Sequence, residues 1–134
     1  MTLVDSNVLA DILTHDPIWL AWSIESLDRC ADQGPLFVNE VVYAELSVRG
    51  SSETELQDWL STLRVTLERT PTQALYLAGK VFGLYRKSGG IRTGVLPDFF
   101  IGAHAQVARW PILTRDVRRY RTYFPSVKLI TPDI

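Results

Sequence analysis

Leu3-Val4-Asp5-Ser6-Asn7-Val8-Leu9 is the stretch whose reading decides the fold. An apolar run starts almost at the first residue, ends on an acid and passes at once into helix-start chemistry. Ser6 or Asn7 is the expected N-cap, followed by Val8, Leu9, Ile12 and Leu13 at helical spacing. That grammar predicts a short buried strand running straight into a helix. Parallel sheets bind ligands in the crevice at the carboxyl ends of their strands, so Asp5 is the first candidate site residue. Its plain alternative is a spare cap that favours the helix dipole.

The same grammar recurs twice. Leu36-Phe37-Val38 is followed by Asn39, a good N-cap, and then by Glu40 through Leu46. Glu40 lies in the first turn, where the dipole explains it, whereas Glu45 lies further in among apolar neighbours and lacks that explanation. Pro111-Ile112-Leu113 is followed by Thr114-Arg115-Asp116-Val117, again with an acid past the strand end, although Asp116 is also an ordinary N-cap for a short helix through Tyr120. Between these units the periodicity predicts scaffold. Asp16-Pro17 opens a helix with Leu20, Ile24, Leu27 and Ala31 on one side, stopped by Gly34-Pro35. Ser51 through Glu55 caps a helix carrying Leu56, Leu60 and Leu63, and Val65-Thr66-Leu67 is an edge-strand candidate. Thr70-Pro71 starts a longer helix with Ala74, Ala78, Val81 and Tyr85 on one face. Leu96-Pro97-Asp98 opens another, with Asp98 in its first turn and Gly102, Ala103 and Ala105 small enough for close packing.

Composition narrows the function. The 134 residues form one domain, 1–134, and 46% hydrophobic with 22% charged residues describes an ordinary soluble globule. Asp5, Asp11, Asp16 and Pro17 interrupt any leader-like apolar segment, which argues against secretion and membrane insertion and for the cytoplasm. Cys30 has no partner for an internal disulfide and fits a helix face, as a reducing compartment allows. His15 and His104 are too far apart for a zinc pattern; His104 also lies roughly 240° around its helix from Asp98 and reads as structural or surface. Gly89-Gly90-Ile91-Arg92-Thr93-Gly94 lacks the ending of a phosphate-cradling loop and reads as a connection, with Arg92 able to reach a phosphate.

Net charge is −1, yet Arg115, Arg118, Arg119, Arg121 and Lys128 face only Asp116 between Thr114 and Lys128, a local +4. Tyr120, Tyr123 and Phe124 are interleaved with them, the pattern that suits single-stranded nucleic acid, with a solvated amphipathic tail as the competing view. Trp19 and Trp22 read as core or subunit contact rather than base-stacking surfaces.

Strand–helix alternation makes this an α/β domain with a mostly parallel central sheet flanked by helices. Asp5, Glu45, Asp98 and Asp116 all fall at strand ends or on flanking helices. Carboxylates gathered in a crevice repel one another, and a hard divalent cation that prefers oxygen ligands resolves the repulsion. Such a site hydrolyses phosphodiesters.

These residues resemble the PIN-domain family, specifically the VapC-type ribonuclease toxins of bacterial toxin–antitoxin pairs. The resemblance runs through Leu3-Val4-Asp5-Ser6-Asn7, Ala44-Glu45-Leu46, Leu96-Pro97-Asp98 with Ile101-Gly102-Ala103, and Leu113-Thr114-Arg115-Asp116. It implies a PIN-like fold and a Mg²⁺- or Mn²⁺-dependent endoribonuclease with Asp5, Glu45, Asp98 and Asp116 as the acidic set. Asp5 and Asp98 would hold the main metal, Glu45 and Asp116 would assist, and Thr114 would occupy a small polar position beside the last acid. It further implies a homodimer, a cognate antitoxin that covers the acidic site, and structured RNA such as tRNA or rRNA as substrate. Ser6 and Asn7 support Asp5. The chain lacks the extra acids that some members carry near the third and fourth positions, which leaves one metal or two open. Two alternatives remain: a PIN-like RNA-binding or scaffold module without cleavage, and a haloacid-dehalogenase-like phosphatase. The phosphatase needs an acid two residues after Asp5, where this chain has Asn7.

Overall fold

The structure is a computed structural model and describes residues 1–92 and 94–132. Its centre is a five-stranded sheet in the order β3-β2-β1-β4-β5, formed by β1 (Thr2–Val4), β2 (Leu36–Val38), β3 (Val65–Leu67), β4 (Ile112–Leu113) and β5 (Leu129–Ile130). All four pairings are parallel, so the sheet is wholly rather than mostly parallel. β5 has no counterpart in the sequence reading: Leu129 and Ile130 are only half-buried, and no helix-start pattern follows them.

Helices alternate with the strands: α1 (Ser6–Leu13), α2 (Leu20–Gln33), α3 (Glu40–Ser47), α4 (Glu53–Thr62), α5 (Thr72–Lys87), α6 (Leu96–Ala108) and α7 (Arg118–Tyr123). The chain builds β1, β2 and β3 in one direction, then returns to the other side of β1 with β4 and β5. The reversal falls between β1 and β4. In an open parallel sheet that switch point opens a crevice above the strand ends. Leu3 and Val4 pair with Ile112 and Leu113, so the two residues immediately past that register are Asp5 and Thr114.

Leu3, Val4, Val8, Leu9, Val38, Val42, Ile112 and Leu113 are buried completely, as a sheet covered by helices requires. α6 is apolar almost all round, with Phe99, Ile101, Gly102, Ala103, His104 and Ala105 buried, and it packs against α3, α5 and α7. Gly102 is needed for that packing, since a Cβ there would run into the Phe124 ring.

Several local expectations change. α2 begins at Leu20, and the turn before it is closed by the Asp16 carboxylate, which accepts from the Ile18 and Trp19 amides at 2.8 and 2.9 Å. Its buried face is Ser23, Ser26, Leu27 and Cys30, while Ile24 is exposed. His104 is structural and not on the surface: it is buried, tilted over Trp110, and 3.3 Å from Asn39 through its Nδ1. Asn39 Oδ1 caps the Val42 amide, so Asn39 Nδ2 is the donor and His104 Nδ1 must accept. Burial lowers the His104 pKa, which suits the neutral ring this bond demands. Within the Gly89–Gly94 loop, Thr93 lies outside the described residues.

Candidate metal and phosphodiester site

Asp5 leaves β1 into the crevice and is itself the N-cap of α1, a role the sequence reading gave to Ser6 or Asn7. Its two alternatives, cap and site residue, therefore coincide. Only 4% exposed, its carboxylate accepts from the Ser6 amide at 2.7 Å through one oxygen. The other oxygen accepts from the Thr114 and Tyr120 hydroxyls, both at 2.8 Å, with Asn7 Nδ2 at 3.4 Å. Thr114 spends every hydrogen-bonding capacity it has: it donates to Asp5 and accepts from Asn7 Nδ2 and the Asp116 amide, both at 3.1 Å. Asn7 completes the brace, its Oδ1 accepting from the Arg115 amide at 3.3 Å. A position that must both donate and accept needs an amide, which removes the acid a dehalogenase-like phosphatase would require there.

Burial raises the Asp5 pKa against the opposing pull of these donors, and the charge of Asp116 adds to the rise. Asp98, in the first turn of α6, has a side chain 32% exposed and lies 3.4 Å from Arg119. Its pKa is pushed up to about 6, first by desolvation and then by Asp5, with Asp116 and Glu45 adding and Arg119 opposing. Glu45, on α3, is raised by desolvation in the same crevice and by Asp5, while the Ser6 side chain opposes. Asp116 is 45% exposed and 3.4 Å from Arg118. It is not the N-cap of α7, which is Val117, since the helix starts one residue later than the spacing suggests; its Oδ1 lies 3.4 Å from the Arg118 amide.

The four acids therefore share one electrostatic neighbourhood. Even so, among the described residues no three His, Cys, Asp or Glu side chains already form a common ligand shell. At the rim Asp98 and Asp116 each face an arginine, Arg119 and Arg118. Both contacts are longer than the roughly 2.7–2.9 Å of a firm charge-assisted bond, and such pairs, partly exposed, are worth about 0–1 kcal/mol. The donor set itself fits Mg²⁺ or Mn²⁺: hard carboxylate oxygens whose protonation is favoured only by mutual repulsion and burial.

The basic segment is divided. Arg115 is anchored, with Nε and Nη2 each 2.8 Å from the buried Asp11 carboxylate and its guanidinium 5.4 Å from the Trp19 ring centroid. Arg118 and Arg119 hold rim acids, while Arg121 and Arg92 are exposed. The aromatics interleaved with them are not stacking platforms. Tyr120 is 2% and Phe124 1% exposed, and Tyr123 packs on Phe99 and Tyr85, since a six-residue helix covering the end of α6 must bury one side. Trp19 and Trp22 meet edge to face beside the core.

Two residues that matter here escaped the sequence reading. Tyr120 was assigned to the surface, although it lies four residues after Asp116 and buries its hydroxyl on Asp5. Asp11 was noted only as an interruption. Its signal was an acid three residues past Val8, on the apolar stripe of α1, where a charge needs a partner.

No family model and no curated protein sequence matches the chain at a significant level. Solved structures do. A chain of VapBC2 from Rickettsia felis, bound to a DNA fragment from its promoter, superposes with a TM-score of 0.74 at 16% identity, over 98% of each chain. VapBC-1 from nontypeable Haemophilus influenzae gives 0.71 at 16%, over 97% of this chain and 96% of the other. FitAcB from Neisseria gonorrhoeae gives 0.63 at 16%, with the same coverage. Across nearly its whole length, then, the chain has the PIN-domain fold found in these VapBC and FitAB structures.

Proposed function

We propose that the chain is a Mg²⁺- or Mn²⁺-dependent endoribonuclease and the toxin of a toxin–antitoxin pair. The observation that carries this reading is Asp5: a buried carboxylate at the switch point of a parallel sheet, braced by four residues and electrostatically coupled to Asp98, Glu45 and Asp116. Asp5 and Asp98 would hold the cation, with Glu45 and Asp116 beside it. When bound, the cation supplies Lewis-acid polarisation of a phosphate and a lowered pKa for water.

The protein's own groups do the rest. Tyr120, Thr114 and the Ser6 amide fix the Asp5 carboxylate in one orientation, so the cation site is anchored on a rigid strand end. Arg118 and Arg119, once Asp98 and Asp116 turn inward, are freed at the crevice edge where a phosphate arrives. Arg121 and Arg92 extend positive charge outward along the surface.

The partner follows from the same electrostatics. An acidic crevice that takes a cation also takes an arginine or lysine from a partner peptide, which would exclude metal and RNA together. The chain would act in the cytoplasm, as a homodimer, on tRNA or rRNA. The second reading is a PIN-like RNA-binding module without cleavage. Incubating the purified protein with total RNA, with Mn²⁺ or with EDTA, and sequencing the new ends separates the two. Discrete metal-dependent cuts, abolished by Asp5→Asn, are expected; binding without cuts would establish the second reading.

A further inference from the structure

Beside the acidic crevice lies a smaller cleft of about 270 Å³, lined by Ser6, Asn7, Ala10, Glu45, Arg49 and Arg115. Two guanidinium groups border it from opposite sides of α1. Arg49 follows the end of α3, Arg115 follows β4, and β1 with its helix lies between β2 and β4 in the sheet. Arg49 makes no ion pair among the described residues. Arg115 is already committed through Nε and Nη2 to Asp11, and Asp11 is itself held by the Ser23 hydroxyl at 3.0 Å. Its Nη1 group has no such bond. An arginine fixed in this way loses little rotamer entropy when it binds a planar or tetrahedral oxyanion. The floor is Ala10, whose small side chain leaves the space open. The volume falls below the roughly 300 Å³ at which cavities for whole small molecules begin, so it suits one charged group of a longer ligand.

We propose that this cleft seats a phosphodiester of the RNA strand next to the one cleaved, held by Arg115 and Arg49. The proposal rests on the nuclease reading above and adds a direction to it: the strand crosses the acidic crevice between Arg49 and Arg115 on one side and the arginines of α7 on the other. Glu45, shared by both spaces, marks the boundary.

The test uses the full chain in its Asp98→Asn form, which binds without cutting, and short RNAs in which a single linkage is made neutral as a methylphosphonate, moved one position at a time. One linkage adjoining the cleavage position should weaken binding about fivefold or more when neutralised, and in an added Arg49→Ala background that penalty should shrink to about half or less. Ala10→Leu, which fills the floor without touching charge, should raise KM in the otherwise native protein and leave kcat within about twofold. An equal penalty with and without Arg49, or no sensitive linkage at all, overturns the seat. RNA cut by the native protein but with KM unchanged in both Arg49→Ala and Ala10→Leu overturns the seat and leaves the nuclease reading intact. An Arg49-dependent linkage pattern in binding, together with no cleavage under any metal, overturns the nuclease reading and with it the seat's place beside a cleaved linkage.

Discussion

Asp5 and Asp98 are aspartates at the mouth of one crevice, and the chain holds them in opposite ways. Asp5 is buried and receives two hydroxyls and a backbone amide at 2.7–2.8 Å. Asp98 is one-third exposed and has one arginine at 3.4 Å. Neither fully escapes the cost of its charge, since both pKa values are raised and desolvation is the first cause in each. The difference lies in what compensates. Around Asp5 the fold itself compensates, because the donors come from the first residue of α1, the residue after β4 and α7, all tied to the sheet. Around Asp98 little compensates, so the strain remains available to a ligand. One half of the site is braced by the fold, and the other keeps most of the cost of its charge.

The largest effect should come from removing either acid's charge in the presence of metal. Asp5→Asn and Asp98→Asn should each lower RNA cleavage by about 10² or more, on the order of 3 kcal/mol of transition-state stabilisation. Steady-state rates on a defined RNA check this. Equal activity of either variant would break the pairing of the two residues in one site.

Stability should separate what activity joins. Asp5→Asn turns an amide toward the Tyr120 and Thr114 hydroxyls and should destabilise by about 1–3 kcal/mol. Tyr120→Phe, which leaves Asp5 with one fewer donor, should cost somewhat less, about 1 kcal/mol. Denaturant unfolding of both variants would show it. Were Tyr120→Phe neutral, the brace on Asp5 would owe nothing to α7.

The pH dependence of the metal-free protein sharpens the contrast. Asp98 has its folded pKa raised to about 6 from 3.8, so between those values the folded state holds more protons than the unfolded chain. Stability from this group is therefore highest below pH 4, falls as pH rises through the window and levels off above 6. Unfolding free energies in EDTA from pH 4 to 7 should show this decline, and Asp98→Asn should flatten it. The smallest effects belong to the arginines. Arg119→Ala and Arg121→Ala should each make the salt dependence of RNA binding shallower by about 0.7, the single-strand slope for one phosphate contact. If neither alters it, the α7 cations are solvated surface.

How much of this the sequence carried depends on the kind of information involved. The strand–helix units around Leu3–Val4, Leu36–Val38 and Ile112–Leu113 were legible because a buried apolar run followed by a polar cap is a local signal. Asp5 and Asp116 were legible as acids past strand ends, and Glu45 and Asp98 as acids on flanking helices, one among apolar neighbours and one in a first turn. β5 was not legible, since its pairing with β4 is purely tertiary. The burial of Tyr120 was not legible because composition cannot say which side of a six-residue helix is buried; that depends on packing against the middle of α6, where Gly102 leaves room for the Phe124 ring. The Asp11–Arg115 pair spans 104 residues, and no local pattern links its members.

We propose that a divalent cation completes the acidic crevice between Asp5 and Asp98. The most direct measurement is the melting temperature of the native protein and of Asp98→Asn, each in EDTA and in saturating Mn²⁺. In EDTA near neutral pH, Asp98→Asn should melt at or above the native protein, because one strained charge is gone. Mn²⁺ at a hundred times its dissociation constant should then stabilise the native protein by about 2.7 kcal/mol and the variant by far less. If Asp98→Asn instead melts lower in EDTA and gains as much from Mn²⁺ as the native protein, Asp98 is only a favourable charge at a helix start and the shared cation site is wrong.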